Sequence, residues 1–154
     1  MSNTTDEDAF ELSATRRTLP IALLRARELL MERFRPILSE RGITEQQWRV
    51  MRVLHETGEA DASEIAEKAC ILAPSLSRIL KTLEAKGLIT LHRDPEDGRR
   101  TLSRPTEASA ALIREITPES VDIYADVEAK FGREKLARLL DDLDALVGAL
   151  EDRG

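Results

Sequence analysis

Two short stretches of this 154-residue chain concentrate side chains that recognise phosphates and base edges. One is "APSLSRILKTLEA", where Ser75, Ser77, Arg78, Lys81 and Thr82 are interspersed with leucine and isoleucine. The other is "HRDPEDGRRTLSRPT", where Asp97, Arg99 and Arg100 surround a lone glycine. Guanidinium and ammonium groups reach guanine edges or phosphate oxygens, and small hydroxyls contact either without bulk. At about 100° per residue, a helix over 74–86 gathers Leu76, Ile79, Leu80 and Leu83 on one side. Pro74, Ser77, Arg78, Lys81 and Ala85 then face the other way, with Ser75 and Thr82 on a flank. An ordinary solvated helix carries the same residue types, so this helix alone decides nothing.

The second stretch changes the balance. Its Asp97-Gly98 pair predicts a tight reversal between two β-type runs, "LITLHR" and "RTLSRP", with Arg99 and Arg100 just past the turn. An arginine projecting from such a hairpin can enter the minor groove, where negative potential concentrates. Asp97 lies two residues before Arg99 and shares a face with it in an extended segment. Its carboxylate could then hold the guanidinium in one orientation. The plainer reading is a solvated turn with a surface ion pair of little worth. A calcium loop does not fit, because the Asp-x-Asp-x-Asp alternation is absent.

The elements that must position these side chains follow from periodicity and caps. A helix is expected over about 15–41, with Leu19, Leu23, Leu30, Phe34 and Ile37 on one face. Pro20 fits a first turn, Pro36 should bend or shorten the helix, and Gly42 ends it. In "ITEQQW", Thr44 and Gln47 form a capping box, and Ile43 and Trp48 occupy the staple positions. Met51, Leu54 and His55 continue that helix until Gly58. Asp61 with Glu64 opens a short helix, "SEIAEKA", and a brief connector leads to Pro74 in the first turn of the next. After the hairpin, Thr106 caps a helix that passes Pro118, with a kink, to about Phe131. The last helix carries Leu136, Leu139, Leu140, Leu143, Leu146, Val147 and Leu150. Short helix, tight turn, amphipathic helix and hairpin together describe a winged helix-turn-helix in a mainly α chain with a small β-hairpin wing.

Composition sets the outer limits. The formal charge is −6, yet residues 74–105 hold seven Lys/Arg against four Asp/Glu, while 106–154 hold six against twelve. A basic working face on an acidic remainder is implied. One cysteine excludes an internal disulfide, and two distant histidines leave no zinc-ligand cluster, so neither metal nor cofactor is expected. No apolar run approaches the ~20 residues of a membrane span. The polar, acidic start "MSNTTDEDAF" does not read as a secretory signal, and a cytoplasmic location is the expectation. Residues 1–14 are expected to be a disordered or loosely ordered lead-in, with a single domain over 15–154. An enzyme is disfavoured: there is no glycine-rich phosphate loop, nucleophile elbow or metal-ligand pair.

"DGRRTLSRPTEAS" resembles the Asp-x-Arg wing signature of the MarR family of bacterial transcription regulators, through Asp97, Arg99 and Thr106. Pro105 stands where that family usually has leucine. The segments "LPIALLRARELLMERFRPIL", "ITEQQWRV" and "ACILAPSLSRIL" are similar to the regulators of homoprotocatechuate (4-hydroxyphenylacetate) degradation. The resemblance implies a homodimer on a palindromic double-stranded operator. The winged part would span about 44–106, with dimerisation helices at about 15–41 and 107–152. It also implies a repressor released by a small aromatic carboxylate. Arginine offers a bidentate match to carboxylate and an aromatic wall receives a ring, so Arg16, Arg27, Trp48 and Arg49 are the candidates. Staple packing is the competing role for Trp48. Cys70, beside Ile71 and Leu72, is expected to be a buried structural thiol rather than a redox sensor. Two other functions stay open: an adaptor that uses the winged fold to bind protein, and a regulator of oxidative or antibiotic stress.

Overall fold

The computed structural model describes residues 15–151, so the expected lead-in over 1–14 lies outside the described residues. The chain divides into two compact units, residues 1–48 and 49–154. In the first, a 3-10 turn at Thr15–Arg17 precedes helix α1, Leu19–Ser39. Pro20 lies in the first turn of α1, but Pro36 neither shortens nor interrupts the helix. It falls in the last turn, where a missing N–H forfeits a single intrahelical bond. Gly42 closes the segment at φ 69°, the left-handed geometry that glycine adopts without strain.

Helix α2, Glu45–Thr57, starts as the capping box predicts. Thr44 Oγ1 accepts from the Gln47 N–H at 3.1 Å, and Gln47 Oε1 accepts from the Thr44 N–H at 3.1 Å. Such a cap is worth about 1 kcal/mol. Ile43 is buried and Trp48 half-buried.

The second unit holds the rest of α2, then β1 (Ala60–Asp61), α3 (Ala62–Ala69), α4 (Ala73–Ala85), β2 (Ile89–Arg93), β3 (Thr101–Pro105), α5 (Glu107–Phe131) and α6 (Arg133–Glu151). The three strands form an antiparallel sheet in the order β1-β3-β2. In its register Ala60 faces Ser103, and Ile89 faces Pro105. Pro105 therefore ends β3, where its missing donor does little harm. The two-residue β1 is absent from the sequence expectation, because two residues display no periodicity.

The core of this unit comes from Met51 and Leu54 of α2, Ile65 of α3, all four stripe residues of α4, and Ile89 and Leu102 of the hairpin. Each such side chain contributes roughly 1.5–3 kcal/mol when fully buried. Helix α5 is capped by Thr106, whose Oγ1 accepts from the Ser109 N–H at 3.2 Å and donates to the Gly87 carbonyl at 2.7 Å. It runs through Pro118 as one helix. Its buried residues, Ser109, Ile113 and Ile116, all lie before that proline, and α6 buries none.

Candidate nucleic-acid interface

Helices α3 and α4 are joined by the turn Cys70–Leu72, the place where the sequence offers no glycine. Cys70 takes the left-handed conformation itself, at φ 53° and ψ 52°, the one non-glycine residue with positive φ among the described residues. The Ile71 N–H bonds the Ala66 carbonyl at 3.0 Å across this turn. Arg49 closes it from outside: its guanidinium donates to the carbonyls of Ala69 at 2.8 Å and Cys70 at 3.2 Å. A cation on the last carbonyls of α3 also complements the helix dipole. The Cys70 thiol is exposed, which corrects the expectation of a buried one. The left-handed turn sends the side chain outward, and Ile71 is buried in its place.

On α4 the wheel assignment holds in space. Leu76, Ile79, Leu80 and Leu83 are buried, while Ser75, Ser77, Arg78 and Lys81 are exposed. Thr82 is half-buried, and its hydroxyl donates to the Arg78 carbonyl at 3.0 Å, so that proton stays within the helix.

The wing loop 94–100 is tied to itself by its acids. Asp94 Oδ1 accepts from the Glu96 N–H at 2.9 Å, and the Asp94 N–H bonds the Arg100 carbonyl at 2.8 Å. Asp97 Oδ1 accepts from the backbone N–H of Arg99 at 3.1 Å. This differs from the expected hold on the Arg99 guanidinium: the segment is a turn, not an extended strand, and an Asx carboxylate in a turn reaches the backbone two residues on. Arg99 is exposed and enters no ion pair among the described residues.

Arg100 behaves differently. Its Nε donates to Asp61 Oδ2 at 2.7 Å, with Asp94 Oδ2 3.6 Å away. Arg104, four residues on, pairs with Glu59, and His92 Nε2 lies 3.3 Å from the same carboxylate. Both acids are held below the usual carboxylate range: Glu59 chiefly by the Arg104 hydrogen bond, Asp61 chiefly by the Glu64 N–H and then by Arg100. Sequence reasoning missed Glu59, Asp61 and Arg104 in this role, since each partner lies 39–45 residues away.

The ligand candidates do not all share one setting. Arg16 is exposed in the 3-10 turn. Arg27 pairs with Glu28 at 3.6 Å and with Glu45. Trp48 is half-buried, and Arg49, in the second unit, is engaged at the α3 turn. Among the described residues no group of three or more His, Cys, Asp or Glu could hold a metal, and no helix is long and apolar enough to cross a membrane.

A helix with cations and hydroxyls outward, set by a tight turn beside a hairpin with an arginine at its tip, defines a winged helix-turn-helix module that binds duplex DNA. Residues 43–101 match the MarR family. The HTH-type transcriptional regulator FarR of Neisseria gonorrhoeae is 43% identical over 135 residues, 88% of this chain and 92% of that protein. The homoprotocatechuate degradative operon repressor of Escherichia coli is 38% identical over 130 residues, 84% of this chain and 88% of that protein. A crystal structure of NadR in complex with 4-hydroxyphenylacetate superposes with a TM-score of 0.75 at 43% identity, covering 84% of this chain and 92% of that one. The chain belongs to the MarR family of transcriptional regulators, DNA-binding proteins rather than enzymes. Regulators of this family bind DNA as dimers.

Proposed function

We propose that this regulator represses an operon for the breakdown of an aromatic acid and leaves its operator when a small phenolic or aromatic carboxylate binds. The support is the combination of two relatives, one an operon repressor for homoprotocatechuate degradation and one bound to 4-hydroxyphenylacetate, with similarity along most of the chain. Ser75, Ser77, Arg78, Lys81 and Thr82 of α4 would lie in the major groove, and Arg99, presented by the Asp97 turn, in the minor groove. Two such units, related by a two-fold axis, would read a palindromic site with half-sites about one helical turn apart.

The dimer reading rests on the apolar stripe of α6, no residue of which is buried among the described residues: Leu136, Leu143 and Leu146 are half-buried, and Leu140, Val147 and Leu150 are 55%, 52% and 71% exposed. Separately, α1 exposes Leu19, Leu24 and Leu29. On this reading the winged part spans about 44–106 and the flanking helices, 15–41 and 107–152, join two copies in the cytoplasm.

For the effector, an arginine with no competing acid is the better carboxylate partner. Arg16 enters no ion pair among the described residues, whereas Arg27 already neutralises Glu45 and Arg49 serves the α3 turn. Trp48 would offer the ring a wall. A ligand releases DNA only if it favours a spacing of the recognition helices that misfits the operator.

The test is titration of duplex DNA from upstream of the coding region, followed by fluorescence anisotropy. Affinity should fall steeply with salt, by a log–log slope of about −0.9 per phosphate contact. Added 4-hydroxyphenylacetate should weaken binding at least about tenfold, equivalent to ~1.4 kcal/mol. Arg16→Ala should keep the DNA affinity and lose the response. Binding indifferent to every phenolic acid would remove the effector, and indifference to salt would remove the operator.

A further inference from the structure

The two arginines that follow the wing turn are neighbours in sequence, yet only one of them is committed to an acid among the described residues. Arg99 is exposed without an ion-pair partner among the described residues, while Arg100 folds back onto Asp61. Asp61 is also the N-cap of α3: its Oδ1 accepts from the Glu64 N–H at 2.9 Å while its Oδ2 accepts from Arg100 Nε at 2.7 Å. One carboxylate thus joins the first helix of the helix-turn-helix to the far side of the wing. The backbone of Arg100 is fixed as well, since its carbonyl accepts from the Asp94 N–H at 2.8 Å and its N–H bonds the Asp97 carbonyl at 2.9 Å. Arg99, still within the turn, is exposed.

We propose that Asp61 and Arg100 form a clasp that positions the wing on the helix-turn-helix, so that Arg100 serves DNA binding through Asp61 and not by touching DNA. The inference rests on DNA binding by the winged unit, and it divides the arginine pair into a contact residue and a positioning residue. Both partners are partly exposed, at 45% for Arg100 and 24% for Asp61, and an exposed pair contributes too little to hold a fold together. What it can do is narrow the directions available to the wing tip, so that less freedom is lost on docking.

The experiment measures affinity of the full-length dimer for its operator across a salt series, with Arg100→Gln, Asp61→Asn and the double variant. Asparagine caps a helix as well as aspartate does, so Asp61→Asn keeps α3 and removes only the charge. Each single variant should weaken binding about three- to fivefold, and the double variant no more than either single. The slope of log affinity against log salt should stay at the wild-type value, because no phosphate contact is lost. A phosphate-contacting Arg100 would instead lower the slope by roughly 0.9 per lost contact, and Asp61→Asn would leave affinity unchanged or raise it. That pattern overturns the clasp. So do additive losses in the double variant, or no loss in either single. Wild-type binding to the operator is scored first, so failure of DNA binding itself is told apart from failure of the clasp.

Discussion

Helices α4 and α6 carry the same kind of apolar stripe, aliphatic residues at three- and four-residue spacing, and the stripes meet opposite fates. In α4, Leu76, Ile79, Leu80 and Leu83 are at most 8% exposed, covered by the chain's own core. In α6 no residue is buried. A period near 3.6 announces that a face will be covered and leaves open by what. The winged region closes on itself because α2, α3 and the hairpin supply Met51, Leu54, Ile65, Ile89 and Leu102 to the same core. After Pro118, Val121, Tyr124 and Phe131 of α5 are exposed, as are Leu139, Leu140 and Leu150 of α6. Exposed apolar area on that scale suits contact with another polypeptide, and the reading proposed above makes a second copy the occupant.

The sharpest way to break this comparison is to truncate one leucine from each stripe. Leu83→Ala removes a fully buried side chain and should cost about 2–5 kcal/mol. Chemical denaturation should give that loss equally at every protein concentration, since the contact is within one chain. Leu140→Ala should act through association, so its penalty should grow as the protein is diluted. Equal losses for Leu140→Ala at all concentrations would mean that α6 packs on its own chain after all.

A smaller effect sharpens the same contrast. Cys70 holds a left-handed conformation that costs an L-residue roughly 1–2 kcal/mol and glycine little, although glycine gives back about 0.5–1 kcal/mol in chain entropy. Cys70→Gly should therefore stabilise the protein by roughly 0.5–1 kcal/mol. The gain should be independent of concentration, because the turn belongs to the self-contained region. A melting midpoint that falls would show that the cysteine side chain supports the turn.

How much of this was legible in sequence divides along the same line. Local signals were readable: the Thr44–Gln47 box, the Asp61 cap and the buried stripe of α4 all follow from neighbours within one or two helical turns. The exposed face of α4 came with it, because the wheel that buries four residues exposes the rest. Readings that depend on distant partners were not available. Arg99 and Arg100 are indistinguishable by type, and only Asp61, 39 residues before Arg100, separates them. The apolar neighbours of Cys70 pointed to burial, yet the backbone turn decides the thiol's direction and needed no glycine in the sequence to occur. Arg49 looked like a ligand group because nothing local claims it. Its acceptors, the Ala69 and Cys70 carbonyls, lie 20 and 21 residues on.

The finest test asks on which side of the comparison the start of α5 belongs. Ser109, in its first turn, is fully buried and lies 3.1 Å from His55 Nε2 of α2. Burial depresses the His55 pKa, and Arg52 and Arg114 add charge repulsion. With the folded value below the unfolded one near 6.5, the folded state binds fewer protons. The resulting stability is complete above the unfolded pKa and drains away as pH falls from there through the depressed folded value. Glu59 and Asp61 are also depressed, but from ordinary carboxylate values, so their contribution fades only at lower pH. Denaturation midpoints measured from pH 8 to 5 should decline toward the acid end, and His55→Gln should flatten that decline. If α5 begins as part of the winged region, the slope removed by His55→Gln will be the same in dilute and concentrated protein. A slope that grows on dilution would instead place this histidine's protonation in the association of the two copies.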